Sequence, residues 1–248
     1  MAGRLEGKVA VITGAASGFG EGMAKRFAEE GACVVVADMN GEGAERVAGE
    51  IGANAVAVEA DVTDPLDIDA MLKAAAQYGP LDILVNNAGA SHRNMPMTEV
   101  DEATFDRVLA VNTKAIYLAC IRAVPMMAER GGVIINTAST AGIRPRPGLV
   151  WYNATKGWVI TATKSMAIEL APKRIRVNCL CPVAGETGML HLFMGEDTPE
   201  KRAQFISTIP LGRLSTPRDV ANAALWLASD EAEFITGVAL EVDGGRCI

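Results

Sequence analysis

Tyr152 precedes Lys156 by four residues, and Ser139 lies thirteen residues before Tyr152. A tyrosine and a lysine so spaced can exchange a proton near neutral pH. A free phenol titrates near ~10, and bringing it to neutrality takes about 4 kcal/mol. A neighbouring ammonium supplies much of that by favouring the phenolate. The stretch from Trp151 to Leu170 has few turn signals and predicts a helix, on which this spacing sets Tyr152 and Lys156 on one face. A Ser139 hydroxyl brought alongside can hold a substrate oxygen while the phenol takes or gives the proton. The pair alone proves little: three tyrosines and eight lysines in 248 residues produce one Tyr-x3-Lys by chance with a probability of roughly 10%.

A second constellation lies near the start of the chain. Thr13-Gly14-Ala15-Ala16-Ser17-Gly18-Phe19-Gly20 follows a β-branched run and opens a helical one. Gly14 permits a tight turn, Gly18 lets the backbone approach a pyrophosphate, and Gly20 lets helix and sheet pack closely. Ser17, Gly18 and Phe19 bring backbone N–H groups to the positive end of the helix, where phosphates bind. Asp38 stands eighteen residues beyond Gly20 at the end of the next apolar run. A carboxylate there accepts both ribose hydroxyls of an adenosine and repels a 2′-phosphate. No Arg or Lys occupies Ala15, Ala16, Ser17, Met39 or Asn40. The expected cofactor is therefore NAD rather than NADP.

The elements that must position these residues follow from the apolar pattern. Val9 to Ile12, Cys33 to Ala37, Ala55 to Glu59, Ile83 to Val85, Val133 to Asn136, Arg176 to Leu180 and Val238 to Val242 read as seven buried strands. Helical spacing fills stretches between them, such as Gly20 to Glu29, Pro65 to Gln77 and Asp101 to Met127. Alternating strands and helices predict right-handed crossovers and a parallel sheet covered on both faces, a three-layer doubly wound α/β fold. No linker or repeat divides the chain, so residues 1–248 are expected to form one domain. Residues 182–210, rich in Gly and Pro with scattered apolar side chains, read as a substrate loop; a surface excursion with a short helix is the plainer alternative.

Composition excludes other classes. The net charge is −7 with acids and bases interspersed, which argues against a nucleic-acid surface. Polar breaks interrupt every apolar run before bilayer length, and residues 1–7 are polar, so a cytoplasmic protein without membrane contact is expected. Cys33, Cys120, Cys179, Cys181 and Cys247 lack zinc or redox spacing, and His92 and His191 lie far from the Cys179-x-Cys181 pair. The cysteines read as small buried hydrophobes, and no metal is expected.

Thr13 to Gly20, Asp61-Val62, Asn86-Asn87-Ala88-Gly89, Asn112, Ser139 and Tyr152-x3-Lys156 together resemble the short-chain dehydrogenase/reductase family in its single-domain form, across essentially the whole chain. The resemblance implies a Rossmann fold and interconversion of an alcohol and a carbonyl by hydride transfer. It implies that Tyr152 is the acid/base, that Lys156 holds the nicotinamide ribose and lowers the phenol's pKa, and that Ser139 binds the reacting oxygen. Asn112 would lie inside the fourth helix and anchor a water relaying protons to Lys156. Asp61 and Val62 would contact the adenine, while Asn87, Ala88 and Gly89 would line the path from ribose to nicotinamide. Plainer roles stand beside these: Asn112 as a polar residue on a helix face, Ser139 as a turn former, and Asp61 as an aid to capping the next helix. The family also commonly forms homotetramers; Trp158, Val159, Leu225, Trp226 and Leu227 offer apolar surface for that or belong to the core.

One stretch departs from the family pattern. Where Pro-Gly is usual, the chain reads Pro182-Val183, although Gly185 and Thr187 still fall where contacts to a carboxamide would be made. Ile143-Arg144-Pro145-Arg146-Pro147-Gly148 must pass near the pocket, so Arg144 and Arg146 are candidates for an anionic group on a small-molecule substrate or partner chain, with His92 and Arg93 also able to face it. These segments resemble dehydrogenases acting on aryl aldehydes or alcohols with an acidic substituent. Two other readings compete: an NADPH-dependent carbonyl reductase, and a non-catalytic dinucleotide-binding regulator on the same scaffold.

Overall fold

The computed structural model describes residues 3–194 and 198–248. Seven parallel strands form one sheet in the order β3-β2-β1-β4-β5-β6-β7. They are β1 (Val9–Thr13), β2 (Cys33–Asp38), β3 (Ala55–Glu59), β4 (Ile83–Asn86), β5 (Gly132–Thr137), β6 (Ile175–Pro182) and β7 (Ala239–Val242). Each contains or nearly matches an expected run, because β-branched residues buried on both faces are a strong strand signal. The order reverses between β1 and β4, which opens a crevice at the carboxyl ends of these two neighbours, where ligands bind in such sheets.

Nine α-helices are described: α1 (Gly18–Glu29), α2 (Gly41–Ile51), α3 (Pro65–Ala76), α4 (Glu102–Leu109), α5 (Ala115–Met127), α6 (Val150–Leu170), α7 (Leu190–Met194), α8 (Pro199–Ile206) and α9 (Pro217–Ala228). Two cores flank the sheet. Ile68, Met71, Ile116, Ala123 and Val159 bring α3, α5 and α6 to one face, and Met23, Phe27, Val47, Val220 and Leu225 bring α1, α2 and α9 to the other. This is the expected three-layer arrangement. Val159, Leu225 and Leu227 are core residues, whereas Trp158 is 43% exposed.

Helices α4 and α5 are joined through a π-helical turn, Ala110–Lys114, in which the N–H of Ala115 donates to the carbonyl of Ala110. The resulting helix from Glu102 to Met127 is long and apolar enough to cross a bilayer, contrary to the sequence expectation. Half of its most apolar window is buried, and Ile116, Ala119 and Ala123 pack in the core, so its apolarity is that of a core helix. The described part of residues 182–210 holds two short helices, α7 and α8, where a substrate loop or a surface excursion with a short helix was expected. Val183 packs with Leu190, Ile209 and Leu214 in a small separate core, and its N–H donates to Val242. A valine thus stands where the family favours glycine because the chain continues alongside β7 there. All five cysteines are free; Cys120, Cys179 and Cys181 are buried, while Cys33 and Cys247 are partly exposed.

Candidate active site

Several elements converge on a cavity of about 410 Å³ at the crevice. The first is the glycine turn. Gly14 and Gly18 have φ of 65° and 56°, in the left-handed region that favours glycine. A Cβ on Gly14 would lie 2.8 Å from Ala88 Cα, and one on Gly20 would collide with the Gly14 carbonyl. Gly20 therefore serves the packing of the turn and does not line the cavity, whereas Gly14, Ser17, Gly18 and Phe19 do. Ser17 is the N-cap of α1, yet its hydroxyl makes no capping bond, which leaves it and the helix N-terminus open toward the cavity.

Asp38 closes one end of the cavity. Its carboxylate accepts from the N–H of Ala16 at 3.0 Å and of Asn40 at 2.9 Å, so two backbone donors fix its orientation. Arg46 reaches the same corner by donating to the Ala16 carbonyl at 2.9 Å. This cation is already paired with Glu21 at 2.9 Å and Glu50 at 2.8 Å. The sequence reading did not anticipate Arg46, which comes from α2, eight residues beyond Asp38. Asp61 and Val62 line the cavity. Asp61 accepts from the N–H and hydroxyl of Thr63, both at 2.8 Å, while Asp64 caps α3, so the alternative role for Asp61 as helix cap is not the one seen.

The β4 carboxyl end is stitched to the glycine turn. Thr13 Oγ1 accepts from the N–H of both Asn87 and Ala88 at 3.0 Å. Asn87 Nδ2 donates to the carbonyls of Thr13 at 3.0 Å and Gly14 at 3.1 Å. Thr137 donates to Asn87 Oδ1 at 3.2 Å. Asn87, Ala88 and Gly89 therefore present backbone to the cavity, with the Asn87 side chain spent on holding the turn. Thr13 is a positioning residue that only the folded neighbourhood reveals.

Tyr152, Lys156 and Ser139 line the same cavity, on α6 and the loop after β5. Ser139 stands beside Tyr152, where its hydroxyl favours the phenolate, and its Oγ accepts from the N–H of Ala141 at 3.1 Å. Gly142 makes this approach possible: a Cβ there would lie 2.6 Å from the backbone carbon of Lys156. Lys156 donates through Nζ to the Thr137 carbonyl at 2.7 Å, and Nζ stands 5.8 Å from the Tyr152 ring centroid. Burial pushes Tyr152 up to about 12, with the Ser139 hydroxyl and the Arg146 charge opposing it. Burial likewise lowers Lys156 to about 8. In the protein alone, desolvation disfavours the phenolate more strongly than the charge-favouring contacts support it. Moving a phenol from about 12 to 7 takes about 7 kcal/mol of added phenolate stabilisation.

Asn112 lies within the π-helical turn, behind the cavity wall. Its Oδ1 accepts from the N–H of Ala90 at 2.8 Å, and its Nδ2 donates to the carbonyl of Ala90 at 2.8 Å and to Thr155 Oγ1 at 3.0 Å. Both amide hydrogens are committed, so the side chain locks the strand-end loop to α6. The bulge joins α4 and α5 as such turns do at functional sites.

The far wall comes from the 182–210 region. Gly185 packs against Phe19, where a Cβ would meet the ring at 2.5 Å, and Thr187 stands over Gly18; both line the cavity. Leu149, Met189, Phe193 and Phe205 complete an apolar end beside Tyr152 that the sequence reading did not identify, because irregular loops carry no periodic signal. The Phe193 ring lies 5.3 Å from that of Tyr152. Arg146 joins this end, its guanidinium 3.9 Å from the Phe205 centroid. Arg144 does not: it turns away and donates to the carbonyls of Arg246 at 3.0 Å and Ile248 at 3.3 Å. His92 is buried outside the cavity, its Nδ1 2.8 Å from the Arg93 carbonyl. Its loop folds back under the Asn112 lock instead of facing the pocket. Among the described residues, Glu241, Asp243 and Cys247 form one group with metal-ligand spacing, but Asp243 already accepts from the N–H of Gly245 and Cys247.

The cradle of glycines, exposed helix N–H groups and fixed Asp38 carboxylate fits a dinucleotide. A family model described as Enoyl-(Acyl carrier protein) reductase matches residues 14–246. The chain is 50% identical to 4-formylbenzenesulfonate dehydrogenase of Comamonas testosteroni, over 98% of this chain and 99% of the relative. It is 43% identical to 2,5-dichloro-2,5-cyclohexadiene-1,4-diol dehydrogenase of Sphingobium indicum, over 99% and 98%. Among solved structures, 3-ketoacyl-(acyl-carrier-protein) reductase from Brucella melitensis, complexed with NADH, is 54% identical with a TM-score of 0.93, over 98% of this chain and 100% of that one.

Proposed function

The chain belongs to the short-chain dehydrogenase/reductase family, oxidoreductases of alcohol and carbonyl groups, and from that premise we propose that it uses NAD and exchanges the hydroxyl proton through Tyr152. One observation carries the reading: Tyr152, Ser139 and Lys156 line the same cavity as Gly14, Gly18 and Asp38. A dinucleotide whose ribose meets Asp38 and whose phosphates meet the turn at Ser17–Phe19 extends toward Tyr152. Bound there, it supplies a hydride acceptor or donor whose oxidised ring is positively charged. Tyr152 takes the hydroxyl proton in oxidation and returns it in reduction. Ser139 steadies the reacting oxygen, a contact that strengthens as charge develops. Lys156 holds the ribose and supplies positive charge below the phenol, Asn112 supports a proton path to Lys156, and Gly185 and Thr187 fix the carboxamide.

The preference for NAD rests on the Asp38 carboxylate and on Arg46, whose charge is already balanced by two carboxylates. The NADH held by the solved relative supports it. We read residues 1–248 as one domain with 182–210 as its substrate loop, for which a single unfolding transition is the check. The five unpaired cysteines suit a reducing cytoplasm, which cell fractionation tests.

The experiment is cofactor formation across a panel of secondary and aryl alcohols with NAD and with NADP. Turnover with kcat/KM at least about tenfold higher for NAD is expected, as one repelled 2′-phosphate implies. Faster turnover with NADP overturns the cofactor assignment. Absence of turnover on every alcohol and its carbonyl counterpart overturns the dehydrogenase reading.

A further inference from the structure

Arg146 is the cation at the apolar end of the cavity. Its neighbours there, Phe193, Phe205, Leu149 and Met189, make a ring-sized apolar compartment around the Tyr152 side chain. The guanidinium stacks on Phe205, which fixes its plane and leaves its N–H fork without a side-chain acceptor among the described residues. Among the described residues no carboxylate acts on it. The charges that reach it are Arg246, Cys247 and Tyr152, and the Arg246 guanidinium opposes it. Arg246 is itself unsatisfied: its Nε is buried without a hydrogen-bond partner among the described residues. Arg144 clips the segment that carries Arg246 against the Arg146 loop through its two carbonyl contacts. Two guanidiniums are thus within electrostatic reach of each other, each partly buried, with no carboxylate acting on Arg146 among the described residues. Such an arrangement is costly alone and favourable around an anion.

We propose that Arg146, backed by the charge of Arg246, is the specificity-determining residue of this site: it binds a carboxylate or sulfonate on the aryl body of an alcohol or aldehyde whose reacting carbon faces Tyr152. The proposal rests on the dehydrogenase reading above and adds the substrate class to it. The aryl body fills the compartment between Phe193 and Phe205, and the anion meets the planar fork of Arg146. A neutral analogue keeps the apolar contacts and leaves the two cations unpaired.

The test compares 4-formylbenzoate with its neutral near-isostere methyl 4-formylbenzoate in the wild type, R146Q, R146K, R246Q and R144Q. In R146Q, kcat/KM for the carboxylate falls by at least about tenfold, the loss of one charge-assisted bond, while that for the ester changes little. R146K falls between, and R246Q and R144Q, which remove or release the second cation, show smaller selective losses. NADH affinity, followed by fluorescence, stays the same in all five. In parallel, calorimetry measures benzoate and methyl benzoate binding to the NADH complex, with the carboxylate alone weakened by R146Q. Equal losses on both members of a pair, or no loss, overturn the proposal. If the wild type reduces neither aldehyde while benzoate binding still depends on Arg146, the anion site stands and the proposed activity on aryl aldehydes falls.

Discussion

At the scale of single residues, Tyr152 and Lys156 sit in an electrostatic imbalance. Burial holds the phenol at about 12 and the ammonium at about 8, so the protein alone stores neutral phenol in the neutral range. Binding of a positively charged nicotinamide ring must favour the phenolate, by the same rule that favours any anion beside a cation. Oxidation needs the phenolate and accelerates as pH rises; reduction needs the phenol and does not. The ultraviolet difference between the wild type and Tyr152→Phe isolates this phenol from Tyr78 and Tyr117. We expect it to ionise above pH ~11 without cofactor and at lower pH with NAD bound. Ionisation near neutrality in the cofactor-free protein contradicts the account. The members of this site were legible in the sequence because spacing on one helix, or one turn between strand and helix, encodes them. Arg146 and Arg144 were not distinguishable, since two residues around Pro145 diverge only in the folded loop: one stacks on Phe205 and the other reaches Arg246.

Elements decide how tightly these residues meet. The turn Thr140–Gly142 carries Ser139 onto α6, and Gly142 lets it approach the Lys156 backbone within a distance that no larger residue allows. Gly142→Ala is expected to destabilise the protein by about 1–3 kcal/mol through overpacking and to lower kcat more than it raises KM. Urea unfolding and steady-state kinetics check this; unchanged values for both contradict the packing argument. The seven strands were readable because β-branched runs bounded by turns allow few other structures. The π-helical turn at Ala110–Lys114 was not, since one extra residue per turn hardly alters the apolar pattern of a continuous helix. Its consequence is chemical: it presents Asn112 to Ala90 and Thr155. Helices α7 and α8 were legible only as a single short helix somewhere in 182–210, because they are short and docked by tertiary contacts, as Leu190 with Val183 shows.

In the whole molecule, four exposed apolar residues lie on helices of one face of the sheet. Tyr117 and Ile121 on α5 are 55% and 48% accessible, and Trp158 and Ile168 on α6 are 43% and 80% accessible. We propose that a homotetramer covers this face and braces α6 from the side opposite Tyr152. Sedimentation velocity should show a species of four times the chain mass, reduced by Trp158→Glu; a stable wild-type monomer contradicts it. The fold class was legible from the alternation of strands and helices alone, whereas the surface that remains open is a property of packing and emerged only from the coordinates. The central claim is narrower than any of these: Tyr152 exchanges the proton beside a bound nicotinamide. Its most direct test is Tyr152→Phe, measured for NADH formation on the best alcohol and for NADH affinity. Turnover lower by at least about 10³-fold with affinity within about threefold of wild type is predicted, and turnover that survives the loss of the hydroxyl would contradict it.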